Sequence, residues 1–458
     1  MSRPLTFSAH LKATLTLGLP LIGGQLGQLL IHVTDTVMMG WYGVTELAAL
    51  VVATSVIFVF LILGSGFAWG VMPLVAAAAE EGDDIQVRRV TRMGLWASMG
   101  YCVVVLPPLV MVPDLFGMLG QVPEVAVLAD QYFAIGLWMM VPALVIMLLR
   151  SYLSALERTQ VVLWVTLAAA AVNAVMNYLL IFGTFGFPEM GVRGAAWASI
   201  GANVAAAILL IIYARWKERR REIFVRFWRP DWVALRQVFR IGAPIGLTSL
   251  AEAGLFSFAS VLMGWISAEA LAAHGIAMQY VTATFMVHLG LAQAATVRAG
   301  RAYGRKDAAL LVGGAKAAMA LSAAVAIVTV VVLVALPEPL VRLFLDPDDP
   351  QLPAIVAIGV GLLAAAAIFQ VTDAAQVMAL GLLRGVQDTR VPMIYAAVSY
   401  WGVGAPVAWF LGFHMGFGGV GIWLGLALGL TMAGILMMRR FWTRIVPKVA
   451  AARRAPAA

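Results

Sequence analysis

Twelve stretches of this chain are long and apolar enough to cross a bilayer, and that feature limits its fold more than any other. They run roughly over 14–40, 47–78, 93–113, 125–149, 160–182, 192–214, 241–266, 270–297, 309–336, 353–382, 392–413 and 418–438. About 20 helical residues rise about 30 Å, the thickness of the hydrocarbon layer. Backbone polar groups in lipid must be satisfied within the segment, which selects helices for runs of this length. The sequence is 62% hydrophobic and 12% charged, with about half the charge of a soluble domain. An all-α integral membrane protein with twelve transmembrane helices is expected.

Charge placement orients it. With the N-terminus inside, every one of the 31 Lys and Arg residues except Arg193 and Arg342 falls in an inner segment. The positive-inside rule therefore puts both termini in the cytoplasm and requires an even number of spans. The net charge of +8 follows from this topology and from anionic headgroups, so no nucleic-acid partner is implied. Cys102 is the one cysteine, which excludes an internal disulfide or a thiolate cluster. The start, MSRPLTFSAHLK, reads as the approach to a retained first span and not as a cleaved signal. The 44 glycines suit close helix packing in lipid.

The chain repeats itself. Gly18-Leu-Pro20 recurs as Gly242-Ala-Pro244, Met39-Gly40-Trp41 as Met263-Gly264-Trp265, and Leu47-Ala-Ala49 as Leu271-Ala-Ala273, all at an offset of 224. LSALERT at 153–159 resembles LRGVQDT at 383–389, at an offset of 230. The expected division is a first lobe at 1–214, a basic linker at 215–240, a second lobe at 241–440 and a cytoplasmic tail at 441–458. The closing AARRAPAA reads as disordered. Six spans per half keep the two pseudo-symmetric lobes in the same orientation, an architecture that suits alternating access.

Polar residues interrupt the spans. Glu252 lies in the seventh, with Thr248 and Ser249 one turn before it and Ser260 two turns after. A carboxylate at that depth costs about 3 kcal/mol or more and usually binds or relays something. Gln25, Gln28, His32 and Asp35 share one face of the first span, and Asn173 and Asn177 are one turn apart in the fifth. Tyr280, Thr284 and His288 line the eighth span, and Gln370, Asp373 and Gln376 the tenth. Glu252 aligns with Gln28, and Asp35 with Ala259, so the lobes do different work. Arg384 reads as a marker of the inner surface, and no buried lysine or arginine is expected to neutralise Asp35, Glu252 or Asp373. A buried carboxylate with no cation keeps its proton. The three acids are thus candidate sites for Na⁺, H⁺ or organic cations, with Gln279, Thr372 and backbone carbonyls as possible further ligands. His32 and His288 are candidates for titration near neutral pH. No phosphate loop, His/Cys metal site or nucleophile triad is visible, and no cofactor is expected.

VTDTVMMG at 33–40, LAEAGLF at 250–256, AAHGIAMQY at 272–280, VTDAAQVMALGLLRGVQD at 371–388 and AVNAVMNYLLIFG at 171–183 resemble the multidrug and toxic compound extrusion (MATE) transporters, most closely their NorM-like bacterial branch. The resemblance covers essentially the whole chain. It implies cation-coupled efflux of bulky, often cationic drugs and dyes from the inner membrane; since each chain already holds both lobes, it is expected to work as a monomer. It also implies that Glu252 and Asp373 bind the coupling cation, with Na⁺ favoured over H⁺, and that Tyr280 faces the cation or drug. Asp35 matches the family's first-lobe aspartate. Where the DinF-like branch has a second aspartate on the fifth span, this chain has Asn177. Within the same superfamily a flippase for lipid-linked or polysaccharide intermediates is the main alternative. It would want cationic residues around the cavity. An intramembrane enzyme would need a nucleophile or metal ligands at depth, and a passive channel would not need asymmetric acids.

Overall fold

A computed structural model describes residues 5–112, 114–348 and 350–454. Arg3, used in the charge count, and residues 455–458 of the tail lie outside the described residues. Twelve membrane-length helices are present among the described residues: α1 Phe7–Tyr42, α2 Val44–Glu80, α3 Asp84–Val110, α4 Pro123–Ala155, α5 Thr159–Phe182, α6 Val192–Lys217, α7 Trp232–Ile266, α8 Ala268–Gly304, α9 Ala308–Ala335, α10 Leu352–Gly385, α11 Arg390–His414 and α12 Gly418–Ala452. No strand occurs among those residues. Exposed apolar side chains such as Val103, Val104, Ile327 and Val328 are what a lipid-facing surface requires.

Several helices outrun the expected spans, because polar ends continue the apolar cores. The stretch read as a linker is largely structured. Arg215 and Lys217 close α6, Arg219–Arg221 form a single 3₁₀ turn, and α7 begins at Trp232. What remains is tied down by ion pairs: Glu218 accepts from Arg158 at 3.3 Å, Asp84 from Arg221 at 2.8 Å, Glu222 from Arg88 at 3.1 Å and Asp231 from Arg89 at 2.5 Å. The indole of Trp96 donates to the Phe227 carbonyl at 2.9 Å. Residues 451–454, expected to be disordered, continue a helix.

The repeat is written into the turns. Gly82, after α2, has φ of 75°, and Lys306, at the equivalent place after α8, has 52°. Glu157 (63°) and Gln387 (61°) are the corresponding pair after α4 and α10. All four close a Schellman-type cap, in which the next residue's N–H reaches a carbonyl five residues back: Asp83 to Ala78, Asp307 to Ala302, Arg158 to Leu153 and Asp388 to Leu383. Asp83 and Asp307 then cap the following helices through the amides of Gln86 and of Ala309 and Leu310.

Two compact units result, and their boundaries differ from a cut through the linker. One is Gly23–Gly246; the other is the chain up to Ile22 together with Leu247 onward. The opening part of α7 thus packs within the first unit, and the opening part of α1 within the second. Glycines make several of the close contacts behind this. In the first unit, a Cβ on Gly66 would sit 2.4 Å from the Gly242 carbonyl oxygen and 2.4 Å from the Gly246 nitrogen, and one on Gly246 would sit 2.3 Å from the Leu63 oxygen. In the second, a Cβ on Gly290 would sit 2.7 Å from the Ile22 backbone. Gly290 is the 224-offset counterpart of Gly66. Backbones approach this closely in lipid only where a side chain is missing.

Candidate functional site

The second unit holds a buried polar cluster on α7, α10 and α11. Asp373, on α10, is 1% exposed, and both its carboxylate oxygens are buried with no hydrogen-bond partner among the described residues. The same holds for Glu252 Oε1 on α7, Gln370 Oε1 and Gln376 Oε1 on α10 and Ser399 Oγ on α11. Six buried oxygens without donors on these three helices is the opposite of ordinary interior practice, where such atoms are paired. The acids interact electrostatically with each other, Arg384 acts on Glu252, and Tyr400 feels all three.

Local structure explains how these groups converge. Gln370, Asp373 and Gln376 are three residues apart on α10, so they share a face. Ser399 and Tyr400 lie in a π-helical segment, Val398–Gly404, a form common at functional sites because it re-aims side chains. The Gln376 amide donates to the Tyr400 hydroxyl at 2.6 Å, and the Gln370 amide donates to the Thr284 hydroxyl on α8. Trp401 donates to the Ala251 carbonyl at 3.1 Å, and Gly254 leaves room for its ring. That bond fixes the turn of α7 carrying Glu252.

Three expected supporting ligands do not join the cluster. Gln279 is exposed. Tyr280 donates its hydroxyl to the Leu340 carbonyl at 2.9 Å and packs edge-on to Phe344, so it braces the short helix Pro337–Arg342. Thr372 donates to the Phe369 carbonyl at 2.8 Å, the usual fate of a helical threonine. Ser260 bonds His274 at 3.1 Å, outside the Glu252 group. His288 is buried; Nδ1 meets Ser322 at 3.0 Å and Nε2 has no partner among the described residues.

The first unit has its own polar centre. Asn177 donates to Asp35 at 2.6 Å and to Asn173 at 3.3 Å, and Ser199 of α6 donates to Asp35 at 3.4 Å. Asp35, Asn173 and Asn177, singled out in the sequence, therefore meet; His32 is exposed on the same helix. Asp35 differs from Asp373 because its oxygens already have donors. Gln28 and Gln25 lie elsewhere and accept from Arg150 of α4 at 3.0 Å each.

Arg384 overturns the expectation that no arginine would neutralise the intramembrane acids, since it acts on Glu252; Arg150 is a second intramembrane arginine but meets neutral amides. Both were placed at an inner surface from their positions near helix ends. Long side chains reach well beyond their Cα atoms, and α4 and α10 continue past them to Ala155 and Gly385. Ser399, Tyr400 and Ser199 were missed as well. Ser399-Tyr400-Trp401 is a polar and aromatic interruption of an apolar span, the one signal available for the first two.

The MatE family model matches residues 20–179 and 244–410, one block in each half of the repeat. The chain is similar to the probable multidrug resistance protein NorM of Rhizobium meliloti, 46% identical over 98% of this chain and 96% of that one. It is also similar to the protein of the same name from Agrobacterium fabrum, 44% identical over 94% of each. Its fold is similar to that of a MATE crystal structure in the bent conformation, with a TM-score of 0.87 at 19% identity, covering 99% of this chain and 100% of that chain. The eukaryotic MATE transporter AtDTX14 matches with a TM-score of 0.86 at 18% identity, covering 98% and 99%. The chain is a multi-pass membrane transporter that belongs to the MatE family, and it is not an enzyme.

Proposed function

We propose that the protein is a cation-coupled multidrug efflux antiporter of the inner membrane, with both termini cytoplasmic, exporting bulky organic and often cationic compounds by alternating access as a monomer. The carrying observation is the set of donor-less oxygens around Glu252 and Asp373. With both acids ionised and Arg384 charged, these three groups sum to one net negative charge. One monovalent cation or one proton balances it, which suits a coupling ion taken up and released each cycle. Carboxylate, amide and hydroxyl oxygens are the ligands a hard cation takes, which favours Na⁺, while protonation of one acid is the H⁺ version of the same balance. A charge moving inward gains about 2.3 kcal/mol per 100 mV.

The names of the relatives support drugs as the exported class. A flippase would want cationic residues, and Arg150 and Arg384 are such residues within the spans; the 46% likeness to a NorM-named protein is what favours drug efflux. Ethidium efflux from cells tests the reading: Glu252→Gln and Asp373→Asn should each abolish it, and normal efflux in either refutes it. Proteoliposomes identify the ion. Substrate movement should follow an imposed Na⁺ gradient with the pH gradient collapsed; loss of movement there, with recovery under a pH gradient, assigns H⁺.

A further inference from the structure

The two halves each set an arginine of their fourth helix against a polar residue of their first. In the second half these are Arg384 and Glu252, and the acid answers the base. In the first half the repeat puts Gln28 where the second has Glu252. Arg150 there has two hydrogen bonds, both to neutral amide oxygens, of Gln25 and Gln28, at 3.0 Å each. No carboxylate among the described residues acts on it.

The local geometry leaves this charge open on one side. A guanidinium carries five N–H donors, and two are used. Gly24 lets it lie against the α1 backbone, where an added Cβ would be 3.3 Å from Nη2. Beside it is a cavity of about 30 Å³ lined by Arg150, Gln28, Thr166 and Asn203 among others. That is room for one small ion, since a water needs about 10–15 Å³. The Thr166 hydroxyl and one of the two Asn203 amide N–H groups already donate to backbone carbonyls at 2.8 Å, so the free donors at the cavity come from Arg150 and the second N–H of Asn203. Arginine keeps its charge under all physiological conditions.

We infer that Arg150, held by Gln25 and Gln28, forms a binding site for a small monovalent anion: a free chloride, or the carboxylate of an amphoteric substrate. The site lies outside the Glu252–Asp373 group and does not depend on which cation couples transport.

Purified full-length protein in detergent is titrated with sodium chloride, sodium acetate or sodium isethionate at constant Na⁺ and ionic strength, and its melting temperature is read. Chloride or acetate should raise it saturably, and isethionate, whose bulkier tetrahedral sulfonate head does not suit the cavity, should not. Arg150→Gln should lose the effect, while a response to Na⁺ at fixed anion, and ethidium efflux, remain. Arg150→Lys keeps the charge and loses the planar fork, so half-saturation should move about tenfold higher. A response to chloride alone assigns the free ion; an equal or stronger response to acetate assigns the substrate carboxylate. Bromide soaked into crystals should give an anomalous peak beside the guanidinium. Absence of any anion-specific shift in the unmodified protein, or an undiminished shift in Arg150→Gln, overturns the proposal.

Discussion

Replacing Gly66 by alanine should loosen the helix crossing that docks the start of α7 on α2. The added Cβ would lie 2.4 Å from the Gly242 oxygen and from the Gly246 nitrogen, whereas ordinary contact begins at 3.4 Å. The crossing must therefore open by about 1 Å, since both obstructing atoms are backbone and cannot rotate away. Overpacking of this kind costs about 1–3 kcal/mol, a change of roughly 5- to 150-fold in the folded population. Gly70 is a graded comparison, because its Cβ would stand 3.0 Å from the Gly242 Cα. Gly100, in α3, is the control, with nothing within 4 Å of an added Cβ. Size-exclusion recovery after heating reads the effect. The expected order of melting is Gly66→Ala lowest, then Gly70→Ala, then Gly100→Ala at or above the unmodified protein. If Gly66→Ala melted with Gly100→Ala, the close crossing would not exist as described.

Two further outcomes concern the connections. Lys306 holds a left-handed backbone where its repeat partner is Gly82; Lys306→Gly should raise stability by about 0.5–1 kcal/mol if the strain of a side chain there exceeds the entropy glycine adds, and a lower melting temperature would show the reverse. The hydrogen bond from Arg89, with its charge, holds Asp231 below the ordinary carboxylate range. The pair's contribution is therefore complete above the unfolded value near 3.8 and lost as pH falls through the lowered one. Melting measured from pH 7 to pH 3 should show an acid limb that is shallower in Asp231→Asn; identical limbs would remove Asp231 from the account.

The span count and the duplication were readable because both rest on local patterns: apolar length and recurring glycine-proline and Met-Gly-Trp words. Asp35 with Asn173 and Asn177 was readable in part, since buried amides and acids in lipid must find one another. Tyr280 was not. Its spacing puts it on a polar face, but its partner is a carbonyl 60 residues away on a short helix without polar periodicity. Arg384 was misplaced for a geometric reason: distance from a helix end measures its Cα, and the charge sits several bonds further on. Ser399 and Tyr400 depend on a π-helical turn, whose altered register breaks the 3.6-residue spacing used to group residues by face.

The exchange of opening segments between α1 and α7 governs how this chain can be assembled. The residues up to Ile22 leave the ribosome well before the rest of their unit, which begins at Leu247. They are inserted long before their neighbours exist. Nor is the other unit finished when α6 ends, because it waits for the chain through Gly246. A gene divided in the loop before Trp232 would therefore encode two pieces that are each missing a segment and each carrying one that belongs to the other. Neither piece is a domain that matures alone, and only joint insertion of both would restore the complete packing.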